Sequence, residues 1–110
     1  MQIIWNEEAA EKLKNSHTVL ELETFEIEGQ SKTTYCVVPA DKIPLAELPH
    51  LPNYVQLHEG FIKALKENDH KLCLDITEHL MGKFGGEMDS FYEIILDRIG
   101  KNQTLSENQR

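Results

Sequence analysis

Asp75, Glu78 and His79 are the residues of this chain whose types and spacing come nearest to chemistry. Asp75 and His79 stand four apart, so on a helix they share a face and could offer a carboxylate and an imidazole to one metal ion. The segment Asp75-Ile76-Thr77-Glu78-His79 lacks the paired histidines of helical zinc motifs, and no third ligand is identifiable. The expectation is a solvated helix face carrying an acid–imidazole contact, with no metal and no cofactor. His50, His58 and His70 add imidazoles to the same half of the chain. They would make a metal or pH-sensitive site only if the fold gathered them. His58 shares an apolar stripe with Phe61 and Leu65, which predicts a hydrogen-bonded, partly buried ring.

Cys73 has His70 and His79 nearby, but it sits mid-helix on an apolar stripe, where a thiol packs and does not attack. Cys36 lies in a strand between Tyr35 and Val37. The two cysteines have no CxxC spacing, and residues 1–15 show no secretory n-region or apolar h-region. Two reduced, buried thiols in a cytoplasmic protein are expected. Lys83-Phe84-Gly85-Gly86-Glu87 has the glycines of a loop but is followed by acidic Asp89, and such charges would repel a phosphate at a helix start. It reads as a turn. No catalytic residue is assigned, and the reading favours a non-enzymatic protein.

Surface chemistry is the stronger signal. The chain of 110 residues carries 19 acidic against 11 basic side chains, a formal net charge of −8. That sign opposes direct nucleic-acid binding, which needs clustered Lys and Arg, and suits docking on a basic protein surface. Glu21, Glu23, Glu26 and Glu28 form an acidic stripe along one predicted strand, a candidate half of such a surface. Phe91 and Tyr92 are adjacent on a predicted helix. One of them is expected to point outward and to serve as an interface aromatic. No apolar run approaches the roughly 20 residues of a membrane span.

These residues need elements to hold them. Residues 2–5 form a short apolar run able to be a third strand, and Asn6 is placed to cap a helix rich in early Glu and late Lys. Residues 18–28 and 33–38 read as an antiparallel hairpin turning at Glu28-Gly29-Gln30-Ser31. Leu20 and Leu22 share one face and Phe25 and Ile27 the other, so the phase flips near Thr24: a bulge, or a strand covered on both faces. Four prolines punctuate residues 39–52, where Ile43, Leu45, Leu48 and Leu51 keep the connector on the core. Three helices follow: residues 53–67, a second carried by Leu72, Cys73, Ile76 and Leu80 to about Lys83, and a third from Asp89 or Ser90. Gly100 is expected to stop the third. Strands before helices indicate an α+β fold, a single domain over residues 1–100 with a flexible polar tail over 101–110.

The stretch 57–99 resembles a helix–turn–helix unit of the tetratricopeptide kind, with Asn68-Asp69 at the turn and Cys73 at the small-residue position. Gly60-Phe61 replaces the expected Leu-Gly pair and Gly85 stands near the place of a proline, so the resemblance implies helical-hairpin packing. The whole layout is similar to small uncharacterised proteins of tailed, myovirus-type phages of marine bacteria. Thr18-Val19-Leu20-Glu21-Leu22-Glu23-Thr24-Phe25, Tyr35-Cys36-Val37-Val38-Pro39 and Asp89-Ser90-Phe91-Tyr92 carry that similarity. It implies an accessory protein acting in a host bacterial cytoplasm. The leading expectation is an adaptor or inhibitor that docks a protein partner through the acidic strand or the last helix. The alternatives are an oligomeric phage assembly or virion component, and a small enzyme or ligand-sequestering protein using Asp75 and His79.

Overall fold

The turn at Glu28-Gly29 sets the first half of the fold. Both residues take positive φ, 53° and 79°, as the two central positions of a tight hairpin loop require. The strands it joins, β2 (His17–Ile27) and β3 (Gln30–Pro39), pair antiparallel. A third strand, β1 (Gln2–Ile4), pairs antiparallel with the far side of β3, so the sheet order is β1-β3-β2. The computed structural model describes the backbone of residues 2–108 and the side chains of residues 2–100. The end of the expected polar tail, residues 109–110, lies outside the described residues.

β2 changes phase where its sequence does. Glu21 is opposite Tyr35, whereas Thr24 is opposite Thr33, so Leu22 and Glu23 together face Thr34. This β-bulge re-aims the strand. Ahead of it, Leu20 and Leu22 are buried with Cys36 and Val38 in the main core. Beyond it, the register returns Phe25 and Ile27 to the same face, where they are exposed toward the hairpin tip.

Helices cover both faces of the sheet. The first, α1 (Glu7–Leu13), begins at Asn6, whose side chain accepts from the N–H groups of Glu8 and Ala9. It lies on the face where Ala10 and Val37 are buried. The main core lies on the other face, under α2 (Leu51–Lys66), α3 (His70–Leu80) and α4 (Asp89–Asn108). α2 starts two residues before the expected Asn53, because Pro52 falls in its first turn, where a missing N–H costs nothing. α3 ends at Leu80 and not at Lys83. Met81 is extended, and Gly82 turns left-handed and donates to Asp89 Oδ1 at 2.8 Å. Leu72 leaves the expected stripe and is exposed, while Thr77 joins Cys73, Ile76 and Leu80 inside. α4 runs through Gly100, since one glycine costs a helix only about 1 kcal/mol.

The proline-rich connector packs, though not through all the residues expected. Ile43 is buried, whereas Leu45 and Leu48 are exposed. Its anchorage is polar and steric. Glu47 Oε1 accepts from the Phe84 N–H at 2.9 Å, and the Lys42 carbonyl occupies the place of a Cβ at Gly85, whose φ is +64°. Gly85→Ala must therefore push the connector away while straining a left-handed residue. A loss of about 3 kcal/mol is expected in urea unfolding; a loss below about 0.5 kcal/mol would show that the connector is not locked there.

Candidate functional site

The residues with candidate metal chemistry do not converge. Asp75, Glu78 and His79 are exposed on α3, and among the described residues no group of three or more His, Cys, Asp or Glu could hold a metal ion. Cys36 and Cys73 are free and buried. Burial pushes the Cys36 thiol up to about 11 and raises Cys73 as well, so neither supplies a thiolate at neutral pH.

Phe91 and Tyr92 require a correction. Phe91 is 5% exposed and Tyr92 0%, so neither is available to a partner. Adjacent helical positions differ by about 100°, and a core-facing stripe is that wide or wider, so both fit inside with Met88, Ile95 and Ile99. Their rings flank His58, with centroids 6.4 Å and 5.8 Å from the imidazole.

His58 is the buried polar centre of the molecule. Its Nε2 lies 2.6 Å from the Glu21 carbonyl oxygen and its Nδ1 2.9 Å from the Tyr92 hydroxyl. A carbonyl only accepts, so Nε2 carries the hydrogen and Nδ1 accepts from Tyr92. Burial lowers the His58 pKa from the ordinary 6.5 to about 4 and holds the ring neutral, and it raises the Tyr92 phenol far above its usual range. This arrangement ties α2, α4 and β2 together but presents no reactive atom at the surface.

The acidic strand is divided by the bulge. Glu21 pairs with Lys66 of α2 at 2.7 Å, and Glu23 makes two bonds to the Arg98 guanidinium of α4 at 2.6 and 3.1 Å. Glu26 and Glu28 stand exposed at the hairpin tip. The stripe is thus two structural ion pairs plus two free-standing carboxylates, and not one continuous surface.

Acidity gathers instead beside β2. A groove of about 620 Å³ is floored by residues 17–21 and Tyr35, with Glu7 and Glu11 of α1 and its C-cap Lys14 on one side and Val55 and Glu59 of α2 on the other. Four carboxylates (Glu7, Glu11, Glu21 and Glu59) and Lys14 line it, Glu11 being bonded to Lys14 at 2.8 Å and Glu21 to Lys66. The hydrogen bond to Glu11 raises the Lys14 pKa, and Glu59 on the opposite wall adds to it. Burial, then Glu7 and Glu21, raise the Tyr35 phenol. A second hollow of about 360 Å³ continues past Glu21 and Glu59 to Lys63 and Lys66. Sequence reasoning placed the acidity on β2 and missed Glu7, Glu11 and Glu59; the i, i+4 spacing of Glu7 and Glu11 was the one available signal.

No protein-family model matches the chain, and no curated protein or solved structure matches it significantly.

The His58 bonds predict a pH dependence. As pH falls through 6.5 the unfolded chain binds a proton that the folded chain refuses until about 4. Stability is full above 6.5 and falls by about 3 kcal/mol across that window. Urea titrations at pH 7.5 and 4.5 should show this loss in the wild type and a much smaller one in His58→Gln. Equal losses in both would exclude His58 as the source.

Proposed function

We propose that this chain is a non-enzymatic protein-interaction module, an adaptor or inhibitor, that docks a basic segment of a partner in the groove between α1, the edge of β2 and α2. The supporting observation is the excess of carboxylates around that groove: with Glu11 bonded to Lys14 and Glu21 to Lys66, Glu7 and Glu59 remain on its two walls. Complementary charge steers a basic partner in and rejects acidic ones. From the phage-protein resemblance, this reading takes the partner to be a protein of a host bacterial cytoplasm. Docking through the last helix loses its support, because the aromatic pair on which it rested is internal.

Glu7 and Glu59 are exposed, so Glu7→Lys/Glu59→Lys should leave stability within about 0.5 kcal/mol. Affinity capture from host lysate should recover a specific partner with the wild type at low salt. The double variant should lose that partner, and so should the wild type at high salt. Recovery of the same partner by both chains would defeat the groove reading.

A second reading, an oligomeric assembly or virion component, has its own observation. Ile3, Trp5, Phe25 and Ile27 are 41–53% exposed, and the Trp5 and Phe25 rings meet at 5.8 Å. Exposed apolar clusters of this kind mark association surfaces. Light scattering should then show a concentration-dependent oligomer that Trp5→Ser/Phe25→Ser dissolves; a wild-type monomer at high concentration would sink this reading. An enzyme using Asp75 and His79 gains no support, since neither lines either of the two hollows described.

A further inference from the structure

The direction of one carbonyl sets the hydrogen-bonding phase of the strand that floors the groove. Glu21 O turns away from β3 to meet His58 Nε2. In an antiparallel strand a residue's N–H and C=O point the same way, and the direction alternates along the chain. The backbone groups of Val19 and His17 therefore also point away from β3, and those of Thr18 and Leu20 point toward it. Two neighbours agree with this phase. His17 is opposite Pro39, which has no N–H to give to a ladder. Past the bulge the direction reverses, and Glu23 O is met from the β3 side by Thr34 Oγ1 at 2.9 Å. The outward edge at His17 and Val19 makes no backbone hydrogen bond to another element among the described residues.

That edge lies in the groove. An unpaired strand edge is a template for another strand, and folds ordinarily blunt it or cover it. Here α1 and α2 stand on the two sides and leave the edge between them open, over roughly 16 Å at about 3.3 Å per residue. At the hairpin tip, by contrast, the flanking residues are exposed on both faces and form no groove.

We propose that an extended basic segment of a partner protein adds to the sheet as a fourth strand, antiparallel to residues 17–21 of β2. The proposal rests on the docking reading above and specifies its mode. Main-chain bonds to His17 and Val19 supply the register, as in other strand additions. Side-chain faces follow from the pleat. Val19 pairs with Val37 on the α1 face, so the added residue opposite Val19 also points its side chain to that face, toward Glu7 and Glu11. Lysine or arginine at that position and at every second one lies on the side of Glu7 and of Glu11, to which Lys14 is already bonded at 2.8 Å, and its own N–H faces β2. A second copy of this chain is a poor occupant, because two acidic edges would then oppose each other.

The probe is a blocked octapeptide alternating lysine and valine, titrated into the ¹⁵N-labelled full chain. It should shift the amide signals of His17, Val19 and Glu21 ahead of all others, while an octapeptide alternating glutamate and valine should not bind. N-methylation of the lysine nitrogens, which face β2, should weaken binding by about tenfold or more, and N-methylation of the valine nitrogens should be tolerated. Val19→Pro removes the outward donor and spares the ladder, since proline is accepted on an edge; it should abolish binding with an unchanged circular dichroism spectrum. If that variant fails to fold, the methylated peptides decide the matter on the wild type. Binding that needs Glu7 and Glu59 but ignores N-methylation would overturn strand addition and leave the acidic docking surface standing. No binding by any peptide, or a dimer closed through the β2 edge, would overturn strand addition, with the capture experiment judging the docking reading separately.

Discussion

The fold depends on one buried imidazole. His58 gives its proton to a backbone carbonyl of the sheet and receives one from a tyrosine of the last helix, so three elements meet at a single ring. Its surroundings are almost wholly apolar, with Phe61, Phe84, Phe91 and Tyr92 rings around it. In such a setting a polar group without partners is costly, and a fully paired one selects a single arrangement of its neighbours. Leucine at this position could pack but could not tell α2 where along β2 to sit. The imidazole can, because its two nitrogens must meet the Glu21 carbonyl and the Tyr92 hydroxyl at once.

The bulge in β2 and His58 are two parts of one device. A regular strand would have kept its alternation through residues 22–25 and sent Phe25 and Ile27 to the α1 side. With Leu22 and Glu23 sharing Thr34 as their partner, the ladder is interrupted at Glu23, while the Glu21 carbonyl already points off the outer edge of the strand. Glu21 O finds His58, Glu23 O finds Thr34, and the two carboxylates flanking the bulge are held by Lys66 and Arg98. An irregularity in the strand is thus where the helical layer is fastened.

Much of this was legible in the sequence because it depends on local rules. Gly29 after Glu28 marked the hairpin, Asn6 before two glutamates marked the α1 start, and the phase flip at Thr24 left a bulge as one of two alternatives, the one the register takes. Other features escaped because they depend on elements that sequence proximity does not connect. Gly100 has every local mark of a helix end, yet the stop signal is weak and the helix passes it. Phe91 and Tyr92 looked too crowded for one face, until their neighbour across the core proved to be a ring of similar size. The groove was invisible for the same reason, since its walls come from α1 and α2 and its floor from the strand between them. The acidic residues were readable one element at a time, but their convergence was not.

The long reach of the fastening bonds gives the protein a schedule. Glu23 and Arg98 are separated by 75 positions, and His58 and Tyr92 by 34. A hairpin alone is marginal in water, and distant pairings form only after the chain between them has been ordered. On the ribosome β1, α1 and the β2–β3 hairpin emerge before α2, which has no tyrosine hydroxyl to hold its histidine until α4 is made. One wall of the groove is therefore assembled last of all. A nascent chain has the acidic residues but not the slot between them, and the edge of β2 becomes selective only when the final helix closes the core.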